Sequence, residues 1–568
     1  MTDMKKAKPI ESCVHRLLQS GTKKKLALVV MLLALVSSVW LVTSELVKVK
    51  LLPNQFADQF TIYVDLPEGS SVYETKEVTG CVLKQFKQED AVTDMSVFYG
   101  ESAPVDFSAM IKGRLFEEGD HVANIMVNLK KEDEREENSV DLVHRLRKVV
   151  QKHCTLNGAH FQFVQPPAGP PYLADIVLEV AGDAPYEKLE RLAYRIEPFF
   201  KAREGVVDVD VLTDANVTRY NLRLDKEKIL KSGLQIEQVK KILYIAFEGM
   251  DIAYENDART PNQIPIHVVL RDKDKTLRKA DGKTLLHKLS GVNLLNAQGM
   301  QIPLSELATV ERTLKGHTIS SKNLMPLVNV VGNTDGISQI YALLDIRDRI
   351  MEKFDGEYEI KKTGLLDLEL ASKQSGDVFH LHWDGEQKVS WDTVTDLSMA
   401  LGVAMVVIFF MMVLYYKSFS LAAGIILASF ISIVGVIYMH WFWDMASDMP
   451  FYMTGTSLIG FIALIGINSR NSLLIIDFAK QLIEENGMDV DRAIAVAVNT
   501  RAKPILLTVL AIVFASMLLT LDPVFGGLGV ALIGGTLAAY AVSLFIVPIF
   551  IQGPLHKEYP PEEIKHEK

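Results

Sequence analysis

The segment Gly466-Ile-Asn-Ser-Arg470-Asn-Ser-Leu-Leu-Ile-Ile-Asp477-Phe478 sets a guanidinium deep inside the apolar run 452–478. Counting about 1.5 Å per residue back from Lys480, Arg470 is expected on the order of 15 Å inside the edge of a helical membrane span. Arginine at that depth costs a few kcal/mol unless it pairs with an acid or faces a hydrated interior. Snorkelling to the edge is the alternative, and it serves long side chains near a span's end. Asn468, Ser469, Asn471 and Ser472 are expected to surround Arg470 with polar atoms. The chemistry such a cation does is to hold a carboxylate in its ionised form, and an arginine stays charged while it does so.

Acids are scarce near it. Asp477 lies two helical turns nearer the flank, either capping a network from below or sitting at the surface, and the other five long apolar runs contain no Asp or Glu. The counter-charge for Arg470 is therefore expected from another polypeptide. Arg501 and Thr508, seven residues apart, share one face of the next span behind Lys503-Pro504. Arg501 reads either as a flank anchor or as part of a cationic and hydroxyl face that awaits carboxylates.

These residues need a membrane frame. Runs 26–43, 398–415, 420–441, 452–478, 504–521 and 527–551 are long enough, or nearly so, to cross a hydrocarbon core of about 30 Å. The lysine and arginine bias of residues 1–25 and of the 480–503 connection puts both in the cytoplasm. The 552–568 tail joins them. The first run reads as a retained signal anchor, since no small-residue cleavage pattern follows it. Residues 481–500 read as a cytoplasmic amphipathic helix, with Ile483, Ala493, Ile494 and Ala497 on its apolar face.

Between the first and second runs, about 350 residues have globular patterning. A β-α-β-β-α-β order spans 55–165, with a Ser71-x-x-Glu74 capping box opening its first helix. After the Pro-rich linker 166–171 a second βαβ unit is expected from 172–212 with 323–365. An α+β insertion occupies 213–322, and a 366–397 connector leads to the second span, with Trp383 and Trp391 as interface anchors. The fold class is thus a six-span α-helical membrane domain carrying a large α+β head of ferredoxin-like units, one interrupted by an insertion.

The net charge of -10 argues against a nucleic-acid partner. Cys13 lies at the cytoplasmic end, while Cys81 and Cys154 are free to pair in an oxidising space. No metal-ligand spacing is present, and no nucleophile or phosphate loop supports an enzyme.

The chain resembles the second half of a resistance-nodulation-division permease of the drug-efflux branch. The resemblance rests on Leu51-Leu-Pro53, Val64-Asp-Leu-Pro-Glu-Gly69, Gly205-Val-Val-Asp-Val-Asp210, and most specifically on Gly466–Phe478 with Arg501-Ala-Lys-Pro-Ile-Leu-Leu-Thr508. It implies porter subdomains at 55–165 and at 172–212 with 323–365, and a docking or funnel subdomain at 213–322. It also implies a trimeric inner-membrane pump in membrane lipid, driven by the proton gradient without another cofactor, its large head periplasmic. Substrate would leave through a periplasmic adaptor and an outer-membrane channel. Arg470, Arg501 and Thr508 match the proton-relay positions of the second half, with Asn471 and Asp477 beside them. Two aspartates of the first half have no match, since the repeat position reads Arg470-Asn471, so an N-terminal half is the implied partner. The loop near 99–120, with Tyr99, Phe107, Met110 and Phe116, resembles the substrate-contacting loop. Met95, Met110, Met126 and Met250 show no metal-relay spacing, which favours amphiphiles over metals. A six-span protein-secretion accessory and a non-transporting scaffold are the alternatives.

Overall fold

A computed structural model describes residues 9–50, 57–104, 107–115, 117–166, 169, 171–271, 287–364, 366–447, 451–522 and 524–560. An amphipathic helix α1 (Pro9–Gln19) precedes the first span α2 (Gly21–Thr43), whose start Ser20 caps by accepting from the Lys23 amide. The first head unit follows as β1 (Gln59–Asp65), α3 (Val72–Phe86), β2 (Val92–Glu101), α4 (Phe107–Ile111), β3 (Glu118–Leu129), α5 (Ser139–His153) and β4 (His160–Val164). Its antiparallel sheet runs β2-β3-β1-β4, the split βαβ order. Phe60, Ile62 and Val64 turn one face of β1 onto Val78, Val82 and Phe86 of α3 and Leu142, Leu146 and Val150 of α5, forming a closed core. A Cys81–Cys154 disulfide, Cα atoms 5.6 Å apart, ties α3 to the end of α5 and settles the pairing left open above.

The second unit comprises β5 (Ile176–Gly182), α6 (Tyr186–Lys201) and β6 (Val206–Leu212), and resumes after the insertion. The described parts of the insertion hold β7 (Thr218–Leu224), α7 (Lys226–Lys231), α8 (Ile236–Phe247), β8 (Met250–Glu255), β9 (Ile264–Val268), β10 (Asn293–Leu295), β11 (Gln301–Pro303), α9 (Leu304–Leu307) and β12 (Ala308–Leu314), with strands paired β7-β12, β8-β9 and β10-β11. Then come β13 (Ser321–Lys322), β14 (Met325–Thr334), α10 (Gln339–Phe354), β15 (Tyr358–Lys362), β16 (Leu368–Ser372) and β17 (Val378–Asp384).

The 366–397 stretch is not a connector. β14 pairs with both β5 and β6, while β17 takes the other side of β5 and carries β16 and β15 outward. Phe379, Leu381 and Trp383 alternate into the core, which is what holds this hairpin in the sheet. Trp383 therefore stacks on Phe200 inside the head rather than anchoring at a membrane interface.

The remaining spans are α11 (Glu386–Tyr416), the pair α12 (Phe419–Ile431) and α13 (Ile433–Ala446), α14 (Gly455–Asn486), α15 (Val490–Leu519), and the pair α16 (Gly526–Phe545) and α17 (Val547–Glu558). With α2, six stretches are long and apolar enough to cross a membrane. The expected amphipathic helix at 481–500 does not exist. α14 runs on to Asn486, Gly487 closes it at φ +58, and the Asp489 side chain caps α15 through the Arg492 amide. Ile483 belongs to one helix and Ala493, Ile494 and Ala497 to the other. Both sets are buried in one cluster with Val14 and Leu18 of α1. α15 also passes through Pro504 instead of starting there. The 527–551 run breaks at Ile546, and its second part continues past 551 to Glu558. Close helix crossings rest on glycine: a Cβ on Gly534 would overlap the Gly435 carbonyl oxygen.

Candidate functional site

Helix α14 and helix α15 form a hairpin around Gly487 and present the candidate residues. Arg470 is the sixteenth of the thirty-two residues of α14, so the cation sits at the helix midpoint. It is exposed, on a face shared with Ile459, Ala463, Gly466 and Leu474, which are exposed too. Among the described residues, no carboxylate lies within ion-pair distance of it. The polar neighbours expected around Arg470 turn away. Asn468, Ser469, Asn471 and Ser472 are buried in the bundle, where Ser469 meets Ser429 of α12 and Asn468 donates to the Ser429 carbonyl oxygen. The cause is helical geometry, since residues one or two apart cannot share a face.

Asp477 is claimed by another group: the Tyr416 hydroxyl donates to it at 2.7 Å and that of Tyr415 at 3.4 Å. Arg501 lays its guanidinium over the Phe478 ring, 4.9 Å from the centroid, with its Nε buried and without a hydrogen-bond partner. Thr508 is exposed and donates to the Ile505 carbonyl oxygen at 2.7 Å. Counting residues from the shared turn puts Thr508 roughly level with Arg470, and Arg501 about two turns nearer the turn. The hairpin thus brings Arg470 and Thr508 to surfaces that the described residues leave exposed, leaves Arg501 half-buried against Phe478, and withdraws Asn471.

A buried polar contact escaped sequence reading. His440 of α13 is fully buried, its Nδ1 at 2.8 Å from the Val436 carbonyl oxygen and its Nε2 at 2.9 Å from the Ser457 hydroxyl. The signal was one histidine in the 420–441 run.

In the head, a cleft of about 160 Å³ separates the first and second units above the membrane helices. Lys112, His144 and Arg147 line one side, Asp175 and Asp335 the other, with Lys50 and Glu386 at its floor. Arg147 bonds Asp208 of β6 at 3.1 Å, and His144 pairs with Asp335. Burial pushes the Asp208 carboxyl above its usual range and the Lys112 ammonium below its own. Asp208 belongs to the Gly205–Asp210 motif, yet its partner lies 61 residues earlier, which a motif cannot reveal.

Of the four candidate contact residues, Tyr99 is not in a loop. It stands in β2, where its hydroxyl accepts from Thr79 of α3 at 3.0 Å. Its alternation with Met95 and Val97 explains why the strand continues that far. Phe107 opens the short helix α4 and Met110 is exposed on it, whereas Phe116 lies outside the described residues.

A family model described as the AcrB/AcrD/AcrF family matches residues 10–552. The chain belongs to that family. Multidrug export protein AcrF of Escherichia coli is 22% identical over 522 residues, covering 88% of this chain and 45% of AcrF. Toluene efflux pump membrane transporter TtgB of Pseudomonas putida is 24% identical over 535 residues, covering 91% and 45%. Cobalt-zinc-cadmium resistance protein CzcA of Cupriavidus metallidurans is 22% identical over 399 residues, covering 69% and 34%. The crystal structure of a heavy metal efflux pump superposes with a TM-score of 0.71 at 16% identity, over 96% of this chain and 52% of that one. The chain spans about half the length of the curated relatives it matches. It is a resistance-nodulation-division permease sequence and a multi-pass membrane protein, and relatives named for drugs and for metals both match it.

Proposed function

We propose that this chain acts as the carboxy-terminal half of a proton-driven efflux permease, with carboxylates for the proton supplied by an N-terminal half. The observation that carries the reading is Arg470, a mid-span cation on an uncovered helix face without an acid within reach among the described residues. A carboxylate brought against it is favoured in its ionised form, and protonation of that acid frees Arg470 from its partner. Arg501 and Thr508 add a second cation and a hydroxyl on the neighbouring helix. The half-length match to the relatives supports the same reading.

In this reading, 55–165 and 172–212 with 323–365 are porter subdomains, extended by the strands to Asp384, and 213–322 is a docking subdomain. The termini are cytoplasmic, the head periplasmic, and the protomers trimeric, delivering substrate to an adaptor and outer-membrane channel. Amphiphiles suit the head cleft because Val143, Phe163 and Ile337 line it beside the polar Ser108 and Lys112.

The test is co-expression with an N-terminal half carrying intramembrane acids, reading dye accumulation and proton flux. Coupled efflux by the pair, lost in Arg470→Ala, supports the proposal. Coupled efflux by this chain alone, or unchanged efflux in the variant pair, overturns it.

A further inference from the structure

The first span is held at its two ends and stands away from the bundle between them. At one end Leu41 packs with Val47 and Ile437, and Ser37 bonds the Tyr438 hydroxyl at 2.7 Å. At the other, α1 folds against α2 and Lys24 donates to Gln552 of α17 at 3.0 Å. Between these ties lies a groove of about 560 Å³, walled by Ala27, Val30 and Ala34 on one side and by Val434, Ala538 and Ala541 on the other. Ala538 and Ala541 are small, so α16 does not fill the space itself. The outer face of α2 carries exposed Val29, Leu33 and Val36, so the groove opens where hydrocarbon is the surrounding solvent. Its lining is almost wholly apolar except at one rim, where Lys23 enters. Lys24 and Lys25 follow it in sequence.

An apolar slot ending in an ammonium has the polarity of a phospholipid: acyl chain within, phosphate at the rim. We propose that this groove is a binding site for one anionic phospholipid, its acyl chain between α2 and α16 and its headgroup phosphate on Lys23. Basic residues where a groove between spans meets the headgroup layer are the arrangement that anionic lipid headgroups recognise.

Native mass spectrometry of the full-length protein, released from detergent with added phosphatidylglycerol or phosphatidylcholine, tests this. The wild type is expected to retain one phosphatidylglycerol at several-fold higher occupancy than phosphatidylcholine. Lys23→Gln should remove that preference while keeping binding, and Ala541→Trp should remove the bound lipid. A photoreactive acyl chain should label peptides from 26–34 and 538–546, which reports the site even if a variant folds poorly. Equal occupancy of both lipids in the wild type, labelling elsewhere, or a co-purified polypeptide cross-linking at Ala541 overturns the proposal.

Discussion

Tyr416, the last residue of α11, donates its hydroxyl to Asp477 at 2.7 Å, so the acid nearest in sequence to Arg470 serves a different helix contact. Seven residues separate Asp477 from Arg470, about 10 Å along the axis. Asp477→Asn, which keeps an acceptor for Tyr416, should leave transport by a reconstituted pair within about threefold of wild type, whereas Arg470→Ala should abolish it. Equal losses in a dye-efflux assay would assign Asp477 a direct part in coupling.

Gly466 lies one turn from Arg470, and a Cβ there would meet nothing within 4 Å, unlike Gly534, where it would overlap the facing backbone. Gly534→Ala is expected to loosen the α13–α16 crossing and lower the melting temperature of the chain by itself. Gly466→Ala should leave that temperature unchanged and weaken association with an N-terminal half, as read by co-purification yield.

The Cys81–Cys154 link closes a sequence separation of 73 within the first head unit. Replacing both residues with serine should lower stability of that unit by about 2–4 kcal/mol, mainly through a freer unfolded chain. Thermal unfolding with and without reductant measures it, and the serine variant should not respond to reductant.

Asp208 binds its proton more tightly in the folded head than when unfolded, because burial penalises its charge more than Arg147 compensates. Stability from that group is therefore complete below the ordinary carboxylate range and is lost as pH rises through the raised value. Asp208→Asn should flatten the dependence of head stability on pH between the carboxylate range and neutrality. Denaturant unfolding across that interval gives the comparison.

Gly385 joins β17 to α11 at φ +88, and a Cβ there would overlap the Ala174 carbonyl oxygen. Gly385→Ala should destabilise the junction of head and membrane domain, seen as faster protease cleavage between them than in Gly376→Ala, where φ is +73 but the space is open.

Local pattern was enough for the βαββαβ order of the first unit, for the six apolar stretches, and for a deep arginine whose one acid in the same span, Asp477, lies two turns away. Alternation, capping residues and hydrophobic length each report on a few neighbouring residues, and those signals are intact in the chain. The direction Arg470 faces, the capture of Asp477 by Tyr416, the pairing of Asp208 with Arg147 and the place of β17 beside β5 were decided by tertiary structure. Each depends on which distant segment arrives at a given face, and burial, not spacing, selects it. The break at Gly487 lay in plain view, yet only packing against α1 shows that the residues around it close two helices instead of forming one.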